Sequence, residues 1–447
     1  YLERISKYDK SDPKINSLIE INPDALAIAS SLDNERLQKG PRSLLHGIPG
    51  VLKDNIDTGD KMHTSAGSLA LKDHFAKEDS FVAKCLRDAG CIILGKANMT
   101  EWANFMTENM TNGYSSRGGY VKNPYGKHDV GGSSSGSAAA VSANFATASI
   151  GTETSGSILS PASQNSCVGL KPTVGLISRT GIIPISHSQD TPGPITRCVE
   201  DCAILLNTLV KEDVNDPITL VNKNKKVNYL EFLDEDGIKG LCFGVCQKYF
   251  SYLIEEKKAI LNKAIDKIKD LGGEIIEVDI PSINERWDIN VLLYEFKNNL
   301  NYYFKSLAPS INIRTLTDLI KFNENNKDKM LKYGQSILIE SDRTSGTLTE
   351  SEYLDSLIHD IHYSRKAGID KILEEENLDV LVSPNNYGAA IPAKAGYPSI
   401  TVPCGYTLGN EPVGITFTSK AYSEGLLIKV AYSFEQATKY RKPPKLS

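Results

Sequence analysis

The chain has 447 residues, with 50 Lys and Arg against 55 Asp and Glu, a formal net charge of −5. Apolar residues make up 40% and charged residues 23%, ordinary globular proportions that exclude a disordered or collagen-like chain. A mildly acidic chain offers no basic field to nucleic acid, and no run of 18 apolar residues is present to span a membrane.

In chain order, residues 1–10 (YLERISKYDK) read as part of a helix, so the natural start is expected upstream. Cytoplasmic residence is the expectation, with a secretion leader left open. GIPGVLKD (47–54) reads as a buried strand, SFVAKCLRDAG (80–90) as an amphipathic helix and CIILGK (91–96) as the next strand. LCFGVC (241–246), LIEEKKAILNKAIDKIKDLGG (253–273) and EIIEVDI (274–280) repeat the strand, helix, strand order. DVLVSP, SITVPCGY and PVGITFTS predict three more strands, followed by a final helix at 421–437. Strands separated by helices at this spacing predict parallel crossovers and an α/β fold.

Residues 131–199 hold only five charged side chains in 69 positions: Glu153, Lys171, Arg179, Asp190 and Arg197. Such a stretch is expected at the buried centre. Residues 210–236 read as a polar connection. Residues 283–378 are charged and Asn-rich with helical periodicity, and are expected to form a peripheral helical layer beside the core.

The eight cysteines include no CxxC, and most lie in apolar stretches, which suits reduced core thiols. Cys198/Cys202 and Cys242/Cys246 are spaced i,i+4, and His359 and His362 read HDIH. Neither cysteine pair has a histidine at ligand spacing, so no metal site is expected.

Three segments carry candidate chemistry. Gly131-Gly132-Ser133-Ser134-Ser135-Gly136-Ser137 runs into AAAVSANFATASI. A flexible linker would have polar flanks, and a phosphate loop would have a lysine after the glycines. Small residues on apolar flanks instead let another backbone pack closely. Gly151-Thr152-Glu153-Thr154-Ser155-Gly156-Ser157-Ile158 can present a hydroxyl and several N–H groups to one point, the needs of acyl transfer. Lys53 ends a very apolar strand, where ligands gather in α/β sheets. It reads either as catalytic or as a buried ion pair with Asp54 or Asp57. No Ser-His-Asp arrangement is evident, so a serine nucleophile here needs another base, as in Ser–Lys variants.

The segment GGSSSGSAAAV…GTETSGSI…PA, with 24 residues from Ser133 to Ser157, resembles the signature of the amidase-signature hydrolases. LHGIPGVLKDNID (45–57), ILGKANMTEWANF (93–105), SSRGGYVKNPY (115–125), GLKPTVGLISRTGIIPISHSQDTPGP (169–194) and PSITVPCGY…PVGITFT…EQAT are similar to it as well. The wording is most similar to the stand-alone, peptide-amidase-like branch. The resemblance implies one amidase domain over 1–447, with a catalytic core at 43–207. Its fold would be a large, mixed, mostly parallel twisted sheet flanked by helices on both faces.

The resemblance also implies roles. Ser157 would be the nucleophile, Ser133 a bridging serine after a cis peptide from Gly132, and Lys53 the base. The N–H groups of Thr154, Ser155, Gly156 and Ser157 would form the oxyanion hole, with Ser134 and Thr152 as supporting hydroxyls. No cofactor is implied. The expected partner is a small-molecule or peptide amide, and the expected state a monomer or homodimer. Two positions depart from the family, which usually has Gly where Ser155 stands and Arg where Leu159 stands. The first raises the question of a positive φ at 155; the second removes a cation that commonly anchors the loop. Two rival readings are the glutaminase component of a tRNA-dependent amidotransferase, its A subunit, and an inactive binding protein on the same fold. The short Ser383–Pro398 connection favours a stand-alone hydrolase.

Overall fold

A computed structural model describes residues 1–221 and 227–446; residues 222–226 of the polar connection lie outside the described residues. The strands in chain order are β1 (Leu18–Ile21), β2 (Pro49–Lys53), β3 (Ile92–Ala97), β4 (Tyr114–Ser115), β5 (Gly119–Tyr120), β6 (Ala148–Glu153), β7 (Val168–Lys171), β8 (Thr191–Thr196), β9 (Cys242–Cys246), β10 (Glu274–Val278), β11 (Val380–Pro384), β12 (Ser399–Tyr406) and β13 (Pro412–Thr418). The short strands β4 and β5 pair with each other, and the remaining eleven form one sheet.

The sheet order is β1-β3-β2-β6-β8-β7-β12-β13-β11-β9-β10. The predicted crossovers are its two parallel wings, β3–β2–β6 on one side and β11–β9–β10 on the other. Between them the ladders run antiparallel, so the sheet is mixed, with four of its ten neighbouring pairs parallel. The centre differs because β12 and β13 are joined by a short hairpin and β8 pairs antiparallel with both β6 and β7.

Both faces of the sheet are covered. Leu52, Ile93 and Ile150 belong to one apolar cluster that runs along this face of the sheet and takes in helices Phe81–Asp88, Val199–Leu209, Glu255–Asp270 and Glu424–Thr438. Their neighbours Val51, Ile92 and Leu94 point the other way, onto helices Ala25–Lys39 and Ser135–Ser142. This is the two-residue alternation of a strand buried on both sides. Segment 283–378 is helical. Phe296, Leu300, Phe304, Leu316 and Leu319 from it cluster with Trp102, Phe105 and Met106.

The small-residue segment makes helix Ser135–Ser142, all eight residues of which are buried. A Cβ built at Gly136 would collide with the carbonyl oxygens of Ser17 and Asn98, and its N–H donates to Asn98 O at 2.9 Å. Backbone on two sides leaves no soft atom to yield. Gly136→Ala is therefore expected to lower the unfolding midpoint by several degrees, on the scale of about 1–3 kcal/mol for overpacking, measured by thermal unfolding.

Candidate active site

Strands β2, β3 and β6 run parallel, so their carboxyl ends meet at one place and bring Lys53 beside Thr152. Lys53 is fully buried. Its Nζ donates to Ser133 Oγ at 2.8 Å, Thr152 Oγ1 at 2.9 Å and the Thr152 carbonyl at 3.1 Å. No carboxylate among the described residues lies within ion-pair distance of it. Asp54 instead faces Arg117 at 3.5 Å, and Asp57 accepts from Tyr303 at 2.8 Å. Burial lowers the Lys53 pKa to about 7, against the opposing charges of Asp190 and Glu153.

Lys96 and Lys171 are also fully buried. Lys96 donates to the Ile56 carbonyl and Thr64 Oγ1, facing Asp54 and Asp57. Lys171 donates to Tyr397 O at 2.5 Å. Of the three, Lys53 is the one bonded to a serine hydroxyl.

The Gly132–Ser133 peptide is cis. The next residue, Ser134, binds the other two segments. Its N–H donates to Ser157 O at 3.2 Å, and its hydroxyl donates to Thr152 O at 3.1 Å. Ser157 is half-buried, and its hydroxyl makes no hydrogen bond among the described residues. The structure thus forms the Lys53–Ser133 link and leaves the Ser133–Ser157 link open.

The loop after β6 is held by two carboxylates. Glu153 accepts the N–H groups of Gly156 (2.7 Å), Ile158 (2.7 Å) and Leu159 (3.0 Å). Asp190 accepts the Thr154 hydroxyl at 2.5 Å and the N–H groups of Ile185 and Ser186. Gly156 therefore drops out of the expected oxyanion set, because its N–H points back to Glu153. The N–H groups of Thr154, Ser155 and Ser157 have no acceptor among the described residues. The positive φ falls at Gly156 (+78°) and not at Ser155, so serine is unstrained where the family has glycine. Leu159 needs no cation to hold it: the chain is fixed there by Glu153 and the side chain is buried.

Glu153, Asp190 and Asn55 were missed as site residues. Asn55 Nδ2 donates to Thr152 Oγ1 at 3.0 Å. The signal for the two acids was present: they are two of five charges in a charge-poor stretch, where a carboxylate must find donors. Of the cysteine candidates, Cys202 and Cys246 are buried and Cys198 and Cys242 half-buried, and His359 meets the Trp287 ring edge-on and lies tilted against Tyr363. No group of three or more His, Cys, Asp or Glu that could hold a metal occurs among the described residues. A cavity of about 660 Å³ borders Asn55, Thr152, Thr154 and Asp190, with none of Lys53, Ser133 or Ser157 in its wall.

A buried amine on a serine hydroxyl, beside unpartnered N–H groups, is equipment for acyl transfer. The family model described as Amidase matches residues 1–428, and the chain belongs to the amidase family: it is an amide hydrolase. It is similar to the peptide amidase of Stenotrophomonas maltophilia, at 41% identity and TM-score 0.94, over 100% of this chain and 94% of that one. A probable amidase of Arabidopsis thaliana is 42% identical over 452 residues, 100% of this chain and 87% of the relative. The A subunit of the glutamyl-tRNA(Gln) amidotransferase of Thermoanaerobacter pseudethanolicus is 34% identical over 475 residues, 99% and 93% of the two chains. No helix among the described residues is long and apolar enough to cross a membrane.

A lysine whose folded pKa of about 7 lies below its ordinary value of 10.5 costs stability. The cost is full below the folded value and fades as pH rises to the unfolded one. Lys53→Met is expected to raise the unfolding midpoint at neutral pH, and the gain should shrink toward pH 10.5. A variant less stable than the parent at pH 7, with no narrowing at high pH, would contradict this.

Proposed function

We propose that the chain hydrolyses carboxamides by itself through an acyl-enzyme on Ser157, with Ser133 and Lys53 as the proton relay. The observation that carries this is the buried Lys53 amine on Ser133 Oγ at 2.8 Å, with its pKa near 7. A neutral amine accepts the proton of Ser133, and Ser133 in turn accepts that of Ser157. For this the free Ser157 hydroxyl turns onto Ser133 when substrate binds; catalytic hydrogen bonds commonly tighten only in the substrate complex. The N–H groups of Thr154, Ser155 and Ser157 receive the negative oxygen. The relay returns the proton to the leaving nitrogen, and water then repeats the path on the ester.

C-terminal peptide amides are the first substrates to test, on the similarity to a peptide amidase. Identity of 34% to an amidotransferase component sustains the second reading, a chain that feeds ammonia to a partner. The stand-alone reading is favoured by higher identity to amidases and by a connection of only 14 residues between Pro384 and Ser399.

The purified chain should release ammonia from a panel of amidated peptides and simple carboxamides and leave glutamine largely untouched. Ser157→Ala should abolish fluorophosphonate labelling with folding intact. Lys53→Ala should lower kcat by about 10²–10⁴. Activity should rise with pH through about 7 as Lys53 loses its proton, then level off. Inertness toward every amide until a second protein and charged tRNA are added would favour the amidotransferase reading.

A further inference from the structure

Glu295 lies on helix Asn290–Phe304 of the outer layer and is 3% exposed. Its Oε2 accepts from Ser186 Oγ at 2.5 Å and from the Ser188 N–H at 3.0 Å. Its Oε1 accepts from the Ser188 hydroxyl and from Tyr353 at 2.9 Å. It makes no ion pair among the described residues; Arg179, whose charge it feels, is bound to Asp216. A buried carboxylate without a cation is a costly way to hold a loop that apolar contacts could hold. Apolar burial is already present there, since Ile183 and Ile185 belong to one cluster with Phe296 and Leu300 of the same helix. What the carboxylate adds is direction, because each charge-assisted hydrogen bond fixes a donor at a set angle and length.

The segment it directs carries the two residues that grip Thr154. Asp190 Oδ1 accepts the Thr154 hydroxyl at 2.5 Å, and Gln189 Nε2 donates to the Thr154 carbonyl at 3.3 Å. Asp190 Oδ2 is itself set by the N–H groups of Ile185 at 2.8 Å and Ser186 at 2.9 Å. Ser186 is the joint between the two carboxylates: its hydroxyl goes to Glu295 and its N–H to Asp190. We propose that Glu295 is a positioning residue for amide hydrolysis, holding 186–190 so that the Thr154 N–H stays aimed at the oxygen of the transition state. This rests on the reading of 154–157 as the oxyanion turn. The oxygen is fully negative only in the transition state, so a misaimed donor lowers kcat and leaves KM nearly unchanged.

The test is Glu295→Gln in the full chain, assayed on a carboxamide that the parent hydrolyses and by fluorophosphonate labelling. Glutamine keeps the volume but has an acceptor at only one end. Its kcat should fall by about 10–100-fold, less than the loss of an oxyanion donor outright, with KM within about twofold. Labelling should be slower yet reach the parent's endpoint, which separates misaligned sites from missing ones. Asp190→Asn combined with Glu295→Gln should be little worse than Asp190→Asn alone, the non-additivity of residues acting in one chain. Tyr294→Phe breaks the 2.9 Å bond to Glu352 on the same helix, away from 186–190, and should leave kcat at the parent's value. If Glu295→Gln fails to fold, Ser186→Ala with Ser188→Ala removes two of the same bonds from the other side and decides. Parental kcat in the folded variant, a loss confined to KM, additive losses in the double variant, or an equal loss in Tyr294→Phe overturns the proposal. Hydrolysis or labelling that survives Ser157→Ala would instead overturn the oxyanion-turn reading itself.

Discussion

An ammonium group taken out of water and given no carboxylate in contact is held in a high-energy form, and that constraint at Lys53 governs the rest of the site. The amine is surrounded by the hydroxyls of Ser133 and Thr152 and one carbonyl, all dipoles and no full charge. As an ammonium it could fill all three bonds. As a neutral amine it has two N–H donors and one lone pair, and the lone pair is free to accept from Ser133. The balance between the forms sits near neutral pH because burial pushes the pKa down while Asp190 and Glu153, at greater distance, push it up. Lys171 shows the contrast: it is also buried and also lowered, but its amine is bound to a backbone carbonyl, where it can exchange no proton.

The two carboxylates that tune the lysine also shape the loop beside it. Glu153 draws three N–H groups under the turn, which leaves those of Thr154, Ser155 and Ser157 unpartnered. Asp190 fixes Thr154 from the other side and is itself held by residues 185–190. That segment is clamped in turn from the 283–378 helices. Glu295, buried on helix Asn290–Phe304, accepts from Ser186 at 2.5 Å, from the N–H of Ser188 at 3.0 Å and from Tyr353 at 2.9 Å. The outer helices are therefore joined to the site by a chain of acceptors, beyond their apolar packing.

Local pattern and residue type were legible in the sequence; partners were not. The strand ending at Lys53, the helix at 81–88 and the late strands β11 to β13 stand where periodicity places them. Lys53 was conspicuous because a charge at the end of an apolar strand needs a reason. The antiparallel centre was not legible, because β8 chooses β6 and β7 as neighbours through long-range pairing that no local pattern encodes. Gly156 illustrates the same limit at the site. Its type marks a turn, but whether its N–H faces outward depends on Glu153 folding beneath it. The open Ser133–Ser157 link likewise depends on a side-chain rotamer that sequence does not fix.

The most direct test of this account is an NMR titration of the lysine side chains in protein carrying isotope-labelled lysine, with the Lys53 signal assigned by its loss in Lys53→Met. The account predicts that the Lys53 amine titrates near pH 7, the value to which burial brings it. A Lys53 amine that stays protonated until about pH 10, the range of an ordinary solvated lysine, would contradict its assignment as the neutral base.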